Sequence, residues 1–334
     1  MNTKLASRNS LLILTSALLG LWALPTAAQA QWHATAGAQS PDQARQALAF
    51  LPNEMWIHAG DSVTWTVETG EIHTVTFLKA GQPRPPFPVG CSAVTPSGSA
   101  FDGTSCVGTP PMVKGQTFTV TFPQEGNFKL VCLVHEDMTG LIHVLNDGAA
   151  LPYDQKFYDR EAAVQRRALL ADRDADATHH HGDSDDGGEG AQVTHVMVGM
   201  GEITATTGGH QALSVMRFDE PVITIHAGDT VEWGNVDPIT PHTITFGTEP
   251  ANPMPPSSNV TVEADGALHA VVASTSDSVH SGFILAEPQE RIGLPQALPG
   301  TTRFRVTFPV PGVFDYKCAL HDNLGMVGRV IVLH

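Results

Sequence analysis

Near its C-terminus the chain reads Cys318-Ala319-Leu320-His321-Asp322-Asn323-Leu324-Gly325-Met326, directly after the alternating run Phe314-Asp315-Tyr316-Lys317. A thiol, an imidazole and a thioether thus share one short loop at the end of a predicted strand. The pattern recurs upstream as Cys132-Leu133-Val134-His135-Glu136-Asp137-Met138. Each copy is preceded by a further histidine at the head of a strand, His73 in Glu71-Ile72-His73-Thr74-Val75-Thr76-Phe77 and His242 in Pro241-His242-Thr243-Ile244-Thr245-Phe246. Four ligand types therefore occur twice in the same order.

Working outward, the repetition extends well beyond the loops. Ile57-His58-Ala59-Gly60-Asp61-Ser62-Val63-Thr64-Trp65 matches Ile225-His226-Ala227-Gly228-Asp229-Thr230-Val231-Glu232-Trp233, and the stretches 118–135 and 304–321 align without a gap. Such self-similarity predicts two domains of one fold. The segments are short, rich in Val, Thr, Phe and Trp, alternate in polarity and are punctuated by Gly-Asp, Pro and Gly, which predicts an all-β architecture of two antiparallel sandwiches. Alternation turns Ile57 and Ile225 inward and His58 and His226 outward. The expected boundaries are a first domain over 31–148, a linker over 149–191 and a second domain over 192–334. Within the linker, 154–175 is charged and Ala-rich and predicts a surface helix, while 179–190, with His179-His180-His181 among Asp and Gly, reads as a disordered run able to capture a metal loosely. Long Pro- and Gly-rich insertions, about 81–115 and 247–300, separate the first histidine from the cysteine in each copy, and loops of that length commonly line sites.

The start of the chain carries Lys4 and Arg8, an apolar run over 11–24 and then Ala28-Gln29-Ala30, the pattern of a secretory signal cleaved after residue 30. A membrane anchor is the alternative, but the apolar run is short for a span, and no later stretch is apolar enough to cross a bilayer. The expectation is a secreted or periplasmic protein. Its 18 Lys plus Arg against 34 Asp plus Glu argue against nucleic acid or anionic lipid as partners and would steer a basic redox protein toward it. Four cysteines in an oxidising compartment suggest two disulfides. The motifs divide them otherwise: Cys91 and Cys106 would close one insertion, leaving Cys132 and Cys318 to the loops. A bridge between Cys132 and Cys318 is the competing arrangement, and it leaves both His-and-Met constellations unexplained.

Two imidazoles, a thiolate and a weak axial thioether make the ligand list of a copper site built for one-electron transfer, because soft sulfur favours Cu(I) and imidazole suits both oxidation states. The candidate copper ligands are His73, Cys132, His135 and Met138 in the first domain, and His242, Cys318, His321 and Met326 in the second. A single such Met is more often packing and a single such His more often a satisfied strand residue. The coincidence of four, twice, in one frame favours metal.

These residues resemble the cupredoxins of the plastocyanin, pseudoazurin and amicyanin group. Cys318-x2-His321-x4-Met326 is similar to the plastocyanin and pseudoazurin loop, and Cys132-x2-His135-x2-Met138 to the shorter amicyanin loop. The resemblance implies a Greek-key sandwich and one type 1 (blue) copper per domain. It also implies electron exchange through a partly exposed second histidine, here His135 and His321, with a redox partner such as a cytochrome or a copper enzyme. The tandem arrangement and long insertions depart from those small proteins.

Two other functions compete. A two-domain multicopper oxidase or nitrite reductase would need a His-x-His pair and a histidine beside the cysteine, yet Val131 and Lys317 precede the cysteines and the only close histidine run is the linker triplet. A copper-delivery protein gains modest support from that triplet, but Met-rich or Cys-rich capture strings are absent. Electron transfer without catalysis is the leading expectation, with loop length setting different potentials at the two sites.

Overall fold

In Ser62-Val63-Thr64-Trp65-Thr66-Val67 the alternation sends Val63, Trp65 and Val67 into the core and the threonines outward, and Thr230–Asn235 repeats it with Val231 and Trp233. The computed structural model describes residues 29–87, 89–91, 95–171, 191–286 and 302–334. It contains two β-sandwiches. One face of the first is the sheet Glu54–His58, Thr139–Leu145, Gly126–Val131, Thr76–Phe77 and Val107–Gly108, in that order. The second repeats it with Val222–His226, Val327–Leu333, Gly312–Lys317, Thr245–Phe246 and Val279–His280. Most consecutive strands pass between the faces, in keeping with the expected Greek-key sandwich.

The opposite faces of the two sandwiches are a single sheet of 11 strands. At its centre Arg45–Leu51 pairs antiparallel with Gly209–Phe218, Leu48 opposite Ala212 and Ala47 opposite Leu213. Outward from that joint the order is the same in both directions. On one side come Gln31–Gln39, Ser62–Val67, Thr117–Thr121 and Ser99–Ala100; on the other come Val193–Thr206, Thr230–Asn235, Arg303–Thr307, Leu268–Val271 and Thr261–Val262. The joint relates the halves by an approximate twofold axis. In Arg45–Leu51 every residue after Arg45 is buried, which is why its Gln-Ala-Leu-Ala-Phe-Leu run lacks a clean alternation.

Each sandwich packs its own aromatic core. Trp65, Phe77, Phe101 and Phe122 fill the first, with Phe128 packed against them; Trp233, Phe246, Phe304, Phe308, Phe314 and Tyr316 fill the second. Each fully buried ring of this kind contributes on the order of 2 kcal/mol by leaving water.

The predicted linker helix spans Gln155–Leu170, with Asp154 capping it by accepting from the Phe157 amide. It is less a surface element than the sequence implied. Tyr158 is buried, donating its hydroxyl to the Trp56 carbonyl at 2.8 Å and accepting from the Trp56 amide at 2.7 Å. Gln165 Oε1 accepts from the Asn53 amide and from Gln211 Nε2, so the helix touches both halves. His179-His180-His181 and the export signal up to residue 28 lie outside the described residues. Ile57 and Ile225 are buried while His226 is exposed and His58 partly so, its Nε2 2.9 Å from the Ala149 carbonyl oxygen. Cys91 and Cys106 form a disulfide within the first insertion, and Cys132 and Cys318 are both free, which removes the competing bridge. Among the described residues no helix is long and apolar enough to cross a membrane.

Candidate metal centres

Each half builds its donor cluster the same way. His73 forms an antiparallel bridge with Met112, its amide 3.1 Å from the Met112 carbonyl and its carbonyl 2.7 Å from the Met112 amide; His242 does the same with Ile284. Behind each ring the chain passes so closely that only glycine fits. A Cβ on Gly37 would fall 2.6 Å from His73 Nε2, and one on Gly199 2.2 Å from His242 Nε2, and both glycines have positive φ. The cysteine stands one residue beyond Gly126–Val131 or Gly312–Lys317. Its amide then closes the loop onto the methionine: Cys132 N donates to Met138 O at 2.9 Å and Cys318 N to Met326 O at 3.0 Å. The second loop has two more residues, taken up by a 3-10 turn at Asp322–Leu324 and by Gly325 at φ 89°.

The donor atoms converge. In the first half Cys132 Sγ is 3.8 Å from both His73 Nδ1 and His135 Nδ1, and the two nitrogens are 3.2 Å apart. In the second, Cys318 Sγ is 3.9 Å from His242 Nδ1 and 3.4 Å from His321 Nδ1, with the nitrogens 3.1 Å apart. A point equidistant from three such atoms lies roughly 2 Å from each, close to metal–nitrogen and metal–thiolate bond lengths. Each cluster therefore fits an ion. Met138 and Met326 are fully buried beside them in their respective loops.

The surroundings favour a thiolate. Burial alone would push the Cys132 thiol up, but hydrogen bonds and charge from His135 and His73 outweigh it and hold the thiol well below its ordinary value. Cys318 is likewise held low by His321 and His242 against its burial. Each sulfur also accepts an amide, Thr74 N at 3.4 Å and Thr243 N at 3.3 Å. A thiolate is the form that binds metal.

Four charged residues around the clusters are not marked by the ligand motifs of the sequence. Glu71 lies buried between the halves, one carboxylate oxygen 3.7 Å from His135 Nε2 and the other 3.5 Å from His321 Nε2. Burial would raise its carboxyl, yet the charges of His321, His135 and His73 hold it at about 2. Asp237, fully buried, sets its Oδ2 3.7 Å from His242 Nε2. Against the burial that would lower it, Asp237 and Cys318 push His242 up to about 9, whereas burial keeps His73 below its usual value. Arg84, from the first insertion, donates to the Cys132 carbonyl at 2.6 Å and the Glu136 carbonyl at 2.7 Å. Arg217 plays the matching part in the second loop, donating to Leu324 O at 2.7 Å and, across the joint, to Asp42 O at 2.8 Å. Glu71 stands two residues before His73, a Glu-x-His signal visible in the sequence once the other half is known to face it.

The second histidines differ from expectation. His135 and His321 are only 2% and 4% exposed, not partly open to solvent. The two ligand loops are turned toward the joint. Asp137 of the first meets His210 of the second half at 2.8 Å, and Leu324 of the second packs so closely on Gly70 that a Cβ there would lie 2.4 Å away.

The chain covers 62% of the length of the plastocyanin of Synechococcus sp. (strain JA-2-3B'a(2-13)), to which it is 27% identical over 115 residues, 34% of its own length. Among solved structures, a Cu(I) amicyanin variant and an oxidised amicyanin variant share 17% and 19% identity with it. Each match covers 34% of this chain and 82% of the other at a TM-score of 0.24, too low to bear on function. The family model for copper binding proteins of the plastocyanin/azurin type matches residues 38–145 and again 203–333. With both sandwiches matched over most of the sequence, the chain belongs to the plastocyanin/azurin family of copper binding proteins.

Proposed function

We propose that this protein is an exported one-electron carrier that holds one copper in each half and catalyses no reaction of its own. The observation that carries the reading is the pair of matched clusters, each with two Nδ1 atoms and one Sγ around a common point. His73, Cys132, His135 and Met138 would hold one ion, and His242, Cys318, His321 and Met326 the other. Copper bound there supplies a reversible Cu(II)/Cu(I) couple with strong visible absorption.

The residues of the chain do the rest. Rigid strands fix one imidazole and the thiolate, and the amide donors at each sulfur stabilise its negative charge, so the donor set changes little when the charge of the ion changes. Burial of all six nitrogen and sulfur donor residues excludes water from that set. The leader sequence supports export, and the acidic surface suits a basic redox protein as partner.

Purified protein loaded with Cu(II) is expected to be blue with two coppers per chain, and Cys132→Ala and Cys318→Ala are each expected to remove one copper and about half the colour. A colourless oxidised protein, a third copper, or turnover of oxygen or nitrite would overturn the reading.

A further inference from the structure

A small carrier that exchanges electrons through a histidine edge needs that edge at its surface. Here His135 and His321 point their Nε2 atoms at the same buried carboxylate, Glu71, at 3.7 Å and 3.5 Å. No solvent reaches the carboxylate from a wide opening, since its side chain is only 9% exposed. One residue thus stands at the end of both imidazoles, at the joint of the two domains. Ionised, it sets a negative charge before each Nε2–H, which favours the ring orientation with Nδ1 turned into its own cluster.

The surroundings are otherwise unequal. The two cations nearest the loops balance, Arg84 on the first and Arg217 on the second. Lys317 is paired with Glu249 and Asp322. Asp237 has no counterpart. Its Oδ2 lies 3.7 Å from His242 Nε2, whereas no carboxylate is paired with His73 among the described residues, and neither ring nitrogen has a hydrogen-bond partner. A buried anion behind a ligand makes it a stronger donor and favours the more positively charged state of the site.

We propose that Glu71 is a positioning residue that joins the two centres through His135 and His321, so that one electron passes within the chain from the second half to the first. This rests on the copper reading above. One electron leaves the second site, which is oxidised, and arrives at the first, which is reduced. The Nε2 protons and the carboxylate keep their places, so no bond breaks and no proton is transferred. A reduced one-electron carrier supplies the electron and an oxidised one removes it.

The test uses the copper-loaded chain. In Cys132→Ala and Cys318→Ala, each reporting the remaining site, the second site is expected to have the lower potential by at least tenfold in the equilibrium constant, or about 59 mV for one electron. Asp237→Asn should shrink that gap while leaving the first site unmoved. Rapid one-electron reduction of the full chain should show an intramolecular phase that Glu71→Gln slows at least tenfold with both coppers retained, because a neutral amide lacks the charge that faces both imidazoles. Equal or inverted potentials, or a phase unaffected in Glu71→Gln, overturn the inference. If Glu71→Gln loses copper, Glu71→Asp, which keeps the charge but draws it back, must show the slowed phase, and an unchanged phase there also overturns it. A wild-type protein that binds no copper or stays colourless defeats the function instead, and the two failures are thereby told apart.

Discussion

In the first half His73 turns its Nε2 against Gly37, and in the second His242 turns the same atom against Gly199, neither with a hydrogen-bond partner, but only His242 has a carboxylate beside it, Asp237 Oδ2 at 3.7 Å. The loops below them differ as well, direct from Cys132 to Met138 and padded by a 3-10 turn between Cys318 and Met326. Yet the donor triangles agree to within 0.4 Å on every edge. The closing cysteine-to-methionine hydrogen bond and the bridge at the first histidine are common to both, and these set the triangle. What varies is the electrostatic shell. Duplication has kept the geometry and released its surroundings to change.

The largest test of that comparison lies behind the rings. Gly37→Ala and Gly199→Ala place a methyl where His73 and His242 stand and force a side chain into positive φ, which should cost about 4 kcal/mol in either half. Metal titration should show each variant losing the site in its own half while the other site persists. Loss of both together would mean that the triangles depend on one another, not on their own strands.

A smaller effect separates the halves by their insertions. Only the first carries a disulfide, closing 15 residues between Cys91 and Cys106. Replacing both with alanine should lower the stability of the first half by about 3 kcal/mol in the loop-entropy account. In calorimetry its unfolding should then precede that of the second half. A single unshifted transition would show that the insertion contributes nothing to the sandwich.

The smallest concerns Tyr158, which ties the helix to the first sandwich alone. Burial pushes its hydroxyl up to about 12 from the usual 10. A raised value means that its contribution is whole below about pH 10 and is lost as pH climbs toward about 12. Tyr158→Phe should cost about 1 kcal/mol near neutrality. Denaturant curves at about pH 9 and about pH 11.5 should show the wild type losing stability between them more steeply than the variant. Parallel losses would place the alkaline sensitivity elsewhere.

The sandwich class and the donor clusters could be read from the chain because their signals are local. Val63, Trp65 and Val67 alternate visibly, and cysteine, histidine and methionine share one loop. The partners of the outer ring nitrogens were not legible. Glu71 is 250 residues from His321 and meets it only because the halves are joined edge to edge. That joint was itself hidden, since Arg45–Leu51 is buried on both faces and reads as a plain apolar run. The implied exposure of His135 and His321 failed for the same reason: it is true of a lone sandwich and is lost when a second covers the same pole. The helix was placed correctly in the chain, but Tyr158 and Gln165 make it part of the packing.

The central ladder between Arg45–Leu51 and Gly209–Phe218 has a historical implication. Two strands that are equivalent in the repeat pair with each other about an axis, as identical subunits do in an isologous dimer. An ancestor of one sandwich could have met its twin along this edge, and fusion of the genes would have made the encounter permanent. Once tethered, the copies no longer had to stay identical, so a carboxylate such as Glu71 could be kept on one side only and still serve both.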